Sequence, residues 1–166
     1  FLGRRAKGLW RTGTYWYLAT RPDEHRTMAR GPLRDAAAKI DKRLRDASFQ
    51  TIVHGDAKPA NFCFSTDRRA VAAVDFQYVG GGVGMKDVAY LLATESQANV
   101  RWGLERYFTT LRRCKPCPQP ERLEREWRAL YPWAWADLHR FLLGWDPSWP
   151  FSAHELELTE EVLRAL

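Results

Sequence analysis

The chain has 166 residues, a formal net charge of +6 and a hydrophobic fraction of 45%. This length and hydrophobic content are typical of one folded globular domain and exclude a disordered chain. No run approaches the ~20 apolar residues of a membrane helix, and no secretory signal stands at the start. We therefore expect a cytoplasmic protein without a membrane partner. The basic residues are scattered among acids, so we expect no nucleic-acid partner either.

Two helices and a strand are predicted in the first third of the chain. A helix start is indicated near Pro22. A longer helix is predicted after Pro32, where four apolar residues recur at helical spacing. These residues are Leu33, Ala37, Ile40 and Leu44. A short strand is predicted from Phe49 to Val53, and it leads directly into the most informative segment of the chain.

That segment is His54-Gly55-Asp56-Ala57-Lys58-Pro59-Ala60-Asn61, and it is followed by Val74-Asp75-Phe76-Gln77. Phosphoryl transfer from a nucleotide needs an aspartate that orients the attacking hydroxyl, and oxygen ligands that hold the metal–phosphate group. Asp56, Asn61 and Asp75 supply these residue types in that order. The pattern is therefore typical of the catalytic lobe of a kinase.

The residues between Asn61 and Asp75 predict a β-hairpin. Two apolar runs, 61–64 and 70–74, flank the turn-like segment 65–69. A hairpin brings its outer ends together. The side chains of Asn61 and Asp75 would then lie close enough to share one metal ion.

With these residues the chain resembles the aminoglycoside phosphotransferase and choline kinase-like family, which is related to the protein kinases. The family's catalytic loop, H-G-D-x-K-x-x-N, is complete from His54 to Asn61, and its metal-binding strand end is matched by Val74-Asp75-Phe76. The phrase from Gln77 to Leu92 extends the resemblance. It implies an α+β, mostly helical fold, the C-terminal lobe of a protein-kinase-like fold with a short catalytic hairpin. The N-terminal nucleotide lobe is not recognisable in this sequence and is expected in the parent chain.

The resemblance also implies roles for individual residues. Asp56 would be the catalytic base, and Lys58 would approach the transferred phosphoryl group of ATP as a point charge. Asn61 and Asp75 would bind Mg²⁺ and, with Lys58, the nucleotide.

Two further residues would support the shape of the loop. His54 is expected to hold the loop in place and to take no part in the chemistry. Asp87 stands at a helix start, where its carboxylate can accept backbone donors or brace the catalytic loop.

The short connection after Asp75 favours a small-molecule acceptor over a protein substrate. Only twelve positions separate Asp75 from Asp87, whereas a protein kinase inserts an activation segment there. The step also reads D-F-Q, and no A-P-E follows. The glycines at 80–84 are predicted to form a tight bend and not a nucleotide-binding loop.

The remainder of the chain is predicted to be helical. Helices are expected around Val100–Leu111, after Pro120, and from Leu156 to Leu166, and Pro132 should kink or restart the second of them. The run from Trp133 to Phe141 is apolar nearly all round and is expected to be central.

Asp137 and His139 stand on that apolar helix and are candidates for substrate contacts, since the C-terminal helices build the acceptor pocket in the family. A buried, satisfied polar pair is the alternative interpretation. The aromatic residues of this half favour a bulky or cationic acceptor.

Cys114-Lys115-Pro116-Cys117 has the spacing of a redox or zinc site. The second ligand pair of a structural zinc site is missing, so a coincidence in a loop is favoured. The role of Cys114 and Cys117 is left open.

These patterns predict one domain, residues 1–166, in three parts. Residues 1–48 form a leading segment and helix, 49–92 a catalytic and metal-binding core, and 93–166 a helical substrate-side subdomain. The predicted function is ATP-dependent phosphoryl transfer to a hydroxyl of a small molecule. The alternative is a non-catalytic fragment or pseudokinase that serves as a binding module, because neither a glycine-rich loop nor a V-A-I-K-like strand precedes His54.

Overall fold

The structure, a computed structural model, describes residues 8–114 and 117–166. Helices dominate these residues, and the strands are short, so the prediction of a mostly helical α+β fold is confirmed. The helices are α1 (Pro22–Thr27), α2 (Pro32–Arg45), α3 (Met85–Leu91), α4 (Gln97–Arg113), α5 (Pro120–Trp145) and α6 (Ala153–Arg164). The strands are β1 (Thr51–Val53), β2 (Phe62–Phe64), β3 (Val71–Ala73) and β4 (Gly80–Gly82).

The two helices predicted from their prolines begin where they were expected. Pro22 and Pro32 each occupy the first turn of a helix, where the missing N–H costs nothing. The apolar face of α2 is buried, including Leu33, Ile40 and Leu44, and it packs against α5.

The four strands form two antiparallel pairs. β2 pairs with β3, with Phe62 opposite Ala73 and Phe64 opposite Val71, so the predicted hairpin is confirmed. β1 pairs with β4, with Val53 opposite Gly80. The loop that begins at His54 therefore lies between strand β1 of the second pair and strand β2 of the first pair.

The glycine-rich segment differs from the prediction of a tight bend. Gly80–Gly82 is strand β4, and the segment around Trp10 and Gly13 runs along it: the Trp10 N–H donates to the Val79 carbonyl at 3.0 Å and the Gly13 N–H to the Gly81 carbonyl at 2.9 Å. A Cβ at Gly80 would come within 2.6 Å of the Gly13 nitrogen. Glycine is needed here because two backbone segments meet without room for a side chain.

Helix α5 is continuous through Pro132, so the predicted restart of the helix at this residue is wrong. A proline inside a helix costs about 3 kcal/mol or more, and burial on both sides of it offsets that cost. Leu130, Tyr131, Ala134 and Trp135 are all buried. Helix α5 packs against α1, α2, α3 and α6, which makes it the central element of the helices. No helix within residues 8–114 and 117–166 is both long and apolar enough to cross a membrane.

The last helix begins three residues earlier than predicted. Ser152 caps α6 by accepting the Glu155 N–H at 3.3 Å, and the Glu155 carboxylate accepts the Ser152 N–H at 2.7 Å. This reciprocal capping box satisfies two backbone donors at the helix start.

Candidate active site

The Asp56 side chain is buried, at 2% exposed, in the loop that follows β1. Its Oδ2 accepts a hydrogen bond from Asn61 Nδ2 at 3.0 Å and lies 3.1 Å from Lys58 Nζ. Its Oδ1 has no hydrogen-bond partner among the residues that the structure describes. A buried carboxylate oxygen that lacks a partner is suited to accept a proton or a hydroxyl donor from a bound molecule.

A single 3-10 turn brings Asn61 back to Asp56. The turn spans Pro59–Asn61, and Asn61 Nδ2 also donates to the Asp56 carbonyl at 2.8 Å. The amide nitrogen makes both of these bonds, so the amide oxygen remains available to another group. Lys58, on the same loop, keeps a partly exposed ammonium beside the buried carboxylate.

The His54 ring connects this loop to the strand end that carries Asp75. Its Nε2 lies 2.9 Å from the Val74 carbonyl, and its Nδ1 lies 3.3 Å from the Asp56 backbone N–H. A carbonyl accepts and an N–H donates, so this network assigns the proton to Nε2. The imidazole of His54 therefore links the loop to the end of the hairpin. A residue that supports the shape of the loop would make such contacts.

Asp87 clamps the start of the loop from α3. Its Oδ2 accepts the His54 N–H at 2.6 Å, and its Oδ1 accepts the Gly55 N–H at 2.9 Å. Burial raises the pKa of this carboxyl, and the two backbone N–H donors oppose that rise. The contacts are those that a bracing role for Asp87 requires.

Gly55 has a backbone conformation that only glycine adopts easily, with φ at +83°. A Cβ there would overlap the Tyr78 carbonyl oxygen and come within 2.9 Å of the Thr14 nitrogen. The Gly55 carbonyl in turn accepts the Tyr15 N–H at 2.7 Å. The segment before α1 therefore packs directly against the loop.

Asp75 lies at the far end of the hairpin, next to Asn61 in space. The Val74 N–H donates to the Asn61 carbonyl at 2.9 Å, which holds the two ends of the hairpin together. Asp75 is exposed and has φ at +63°, a left-handed conformation that aspartate tolerates better than most residues.

The residues at this end of the hairpin fit a magnesium ion. Mg²⁺ prefers oxygen ligands and is commonly bound through one or two carboxylates together with substrate phosphates. The Asp75 carboxylate and the Asn61 amide oxygen are ligands of that kind. No group of three or more His, Cys, Asp or Glu side chains suited to a metal occurs in the part of the chain that the structure describes.

Asp137 lies in the core and not at a surface that a substrate reaches. It is fully buried: its Oδ2 accepts from Trp16 Nε1 and lies beside Lys86 Nζ, each at 3.1 Å, and its Oδ1 accepts from Arg140 Nε at 2.9 Å. Burial acts to raise the pKa of this carboxyl, but the charges of Arg140 and Lys86 outweigh it and lower the pKa. The structure therefore supports the alternative interpretation, in which Asp137 is a buried polar residue whose hydrogen bonds are satisfied within the core.

His139 is also a core residue. It is 4% exposed, its Nδ1 lies 2.7 Å from Thr159 Oγ1, and its ring lies 4.0 Å from that of Phe151. Burial lowers the pKa of His139 to about 4. These contacts account for the histidine without a substrate.

Within residues 8–114 and 117–166, no group of metal-binding side chains includes the cysteine pair. Cys114 is exposed, Cys117 is partly buried, and both are free thiols. Lys115 and Pro116, the two residues between them, lie outside the described residues.

Sequence reasoning missed the residues of the segment before α1 that reach the loop. Tyr15 is the main example: burial raises the pKa of its phenol, and the nearby Asp56 charge contributes to the rise. The segment has no periodicity, and its bond to Gly55 spans 40 positions of the chain. Its only sequence signal is its richness in aromatic residues.

A family model described as the phosphotransferase enzyme family matches residues 3–117. Among solved structures, the chain is similar to LicA, in the crystal structure of LicA in complex with AMP, with 16% sequence identity and a TM-score of 0.45. That match covers 95% of this chain and 55% of the LicA chain, so the chain spans about half of its length. No curated protein matches the chain.

Proposed function

The chain belongs to the phosphotransferase enzyme family, and from this premise we propose that it transfers the terminal phosphoryl group of ATP to a hydroxyl of a small molecule. One observation carries the proposal. The buried Asp56 carboxylate keeps an oxygen without a partner among the described residues, beside an ammonium and an amide. The spacing of Asp56, Lys58 and Asn61 is also that of the family's catalytic loop.

In this mechanism Asp56 receives the acceptor. The acceptor hydroxyl donates a hydrogen bond to Asp56 Oδ1, and its oxygen attacks the terminal phosphorus of ATP. The bond from that phosphorus to the bridging oxygen breaks, ADP leaves, and the hydroxyl proton passes to Asp56. The Asn61 amide keeps the carboxylate oriented through its bond to Oδ2.

Lys58 stabilises the negative charge that the phosphoryl group carries during transfer. Its ammonium is 3.1 Å from Asp56 Oδ2. It therefore lies beside the carboxylate that would receive the acceptor hydroxyl. Fixed positive charge at this position favours the transition state.

Asn61 and Asp75 would hold Mg²⁺. A bound ion would supply positive charge that offsets the negative charge of the phosphates. Asp75 supplies the carboxylate and Asn61 the amide oxygen, and the hairpin holds the two residues at its joined ends.

The test is acceptor-dependent release of ADP by the full-length polypeptide that contains this chain. A panel of sugars, amino sugars and amino alcohols is incubated with Mg-ATP, and transfer of labelled phosphate is followed. Asp56→Asn should reduce turnover by about 10²-fold or more while nucleotide affinity changes little. Asp67→Asn, an exposed change in the hairpin turn, is the matched control and should be silent. Equal turnover by the Asp56 variant and the control, or no acceptor-dependent transfer across the panel, would refute the proposal.

A further inference from the structure

A cavity of about 240 Å³ lies between the segment before α1 and the residues that follow Asp75. It is lined by Trp10, Thr12, Thr14, Tyr15, Thr20, Arg21 and Tyr78. We propose that this cavity binds the acceptor through a carboxylate, or another small anionic group, that the acceptor carries together with hydroxyl groups. The proposal rests on the proposed function and names the substrate class of that site.

Two residues of the cavity wall also contact the catalytic loop. Tyr15 and Tyr78 line it, and their backbones contact Gly55, the residue that precedes Asp56. Burial raises the pKa of Tyr15, and the Asp56 charge adds to that rise. A ligand in this cavity therefore contacts two residues, Tyr15 and Tyr78, that pack directly on the loop that would activate its hydroxyl. The volume is below the ~300 Å³ at which drug-sized pockets begin, so the ligand is a small one.

Among the residues that the structure describes, Arg21 is the one charged residue that lines the cavity, and its positive charge favours an anionic ligand. Of its donors, Nε bonds the Tyr15 carbonyl at 3.0 Å, whereas Nη2 makes only a 3.4 Å contact with the Tyr78 hydroxyl. Nη1 is 3.6 Å from the Glu24 carboxylate. The outer edge of the guanidinium therefore keeps donor capacity, and a planar pair of N–H donors matches a carboxylate.

The Tyr15 ring that lines the cavity does not have a free face for a cationic ligand. The Arg21 guanidinium carbon is 3.9 Å from the centre of the Tyr15 ring. That face is thus already covered by a positive charge, which repels a second one. The cationic acceptor favoured by the aromatic composition alone is disfavoured by this arrangement.

Thr14 provides a place for a ligand hydroxyl. It is 4% exposed, and its Oγ1 has no hydrogen-bond partner in the part of the chain that the structure describes. Its backbone has φ at +138°, a conformation that residues other than glycine rarely adopt. A buried hydroxyl without a partner is costly, and a hydroxyl of the acceptor would supply the missing bond.

Three matched probes separate charge from shape: D-gluconate, D-glucitol and 1-amino-1-deoxy-D-glucitol. They share a chain of hydroxyls and end in an anionic, neutral or cationic group. Binding is measured without ATP by calorimetry. Gluconate should bind about tenfold or more tightly than the other two, since a hydrogen bond to a charged group is worth that much.

Variants of the two charged residues should move this preference in opposite directions. Arg21→Gln should abolish the preference for gluconate, and Arg21→Lys should keep part of it because the charge remains. Glu24→Gln should tighten gluconate binding several-fold, because it removes a neighbouring negative charge. Misfolding would lower the affinity for gluconate in both variants. Opposite effects of the two substitutions therefore exclude misfolding as the cause.

Thr14→Gly serves as a second variant that relieves backbone strain. It should weaken all three probes about equally and leave the anionic preference unchanged. The proposal is overturned if the cationic probe binds as well as gluconate, if Arg21→Gln keeps the preference, or if no probe binds at millimolar concentration. Gluconate preference without phosphoryl transfer to any acceptor would uphold this binding site and refute the proposed function. Phosphoryl transfer without a preference for gluconate would uphold the proposed function and refute this binding site.

Discussion

Two residues of the candidate site have left-handed backbones for different reasons. Gly55 has no room for a side chain, because the Tyr78 carbonyl and the Thr14 nitrogen occupy that space. Asp75 is exposed, and its conformation costs roughly 1 kcal/mol or more. Strain of this kind is frequent at functional sites, where the surrounding structure imposes it.

The first prediction concerns Gly55→Ala. The added methyl group meets backbone atoms that cannot turn away, and φ at +83° is unfavourable for alanine. We expect the free energy of unfolding to fall by about 2 kcal/mol or more, measured by denaturant unfolding. Gly31→Ala is the control, because nothing lies within 4 Å of the added Cβ there. Equal stability of the two variants would contradict the steric account.

The second prediction concerns Asp75→Asn in the full-length protein. Asparagine also tolerates the left-handed conformation, so stability should not change. Removing the carboxylate should weaken Mg-ATP binding about tenfold or more, while ATP binding in the presence of a chelator should be unchanged. Calorimetric titrations with and without Mg²⁺ measure both quantities, and Asp67→Asn is the control. A variant that retains the full magnesium dependence would exclude Asp75 as a ligand.

At the scale of elements, one buried ion cluster joins the parts that hold the catalytic loop. Asp137 on α5 is bonded to Trp16, Lys86 and Arg140. Trp16 follows Tyr15, whose N–H bonds Gly55. Lys86 precedes Asp87, whose carboxylate accepts the N–H groups of the loop. The cluster therefore connects both segments that hold the loop, the one that contains Tyr15 and the one that contains Asp87, to the central helix α5.

The third prediction is that Asp137→Ala destabilises the fold by about 3–5 kcal/mol, because it removes the carboxylate that the two buried cations Lys86 and Arg140 share. Denaturant unfolding measures this effect. Asp23→Ala is the control, since it breaks the exposed ion pair with Arg26 and should cost less than about 1 kcal/mol. A stable variant with a raised KM for the acceptor would instead restore the substrate role that the sequence suggested for Asp137.

At the scale of the whole molecule, stability should depend on pH through His139. In the unfolded chain its pKa is near the ordinary 6.5, whereas burial lowers it to about 4 in the fold. The unfolded state thus binds more protons between these values, and the stabilising contribution is lost as the pH falls from 6.5 toward 4.

The fourth prediction follows from this difference. The shift corresponds to about 3 kcal/mol, so the free energy of unfolding should fall by that amount relative to a His139→Gln variant over the same pH range. Denaturant unfolding at several pH values measures both proteins and cancels the carboxyl groups that they share. Parallel pH profiles of the two proteins would contradict the assigned burial.

Sequence alone determined the features that depend on neighbours along the chain. The spacing from His54 to Asn61 identified the loop, and the apolar runs around 65–69 identified the hairpin that the structure confirms. Prolines located the starts of α1 and α2. Turn chemistry, helix capping and hydrophobic periodicity act over a few residues, so they can be recognised without knowing the fold.

Tertiary structure alone decided which distant groups meet. The pairing of β4 with β1, the passage of α5 through Pro132 and the bond from Tyr15 to Gly55 all depend on packing between separate segments. Trp16 and Asp137 are hydrogen-bonded partners 121 positions apart. A buried polar residue is stabilised by whichever donor the folded chain places beside it, so sequence could suggest that Asp137 mattered but not that the core, and not a substrate, surrounds it.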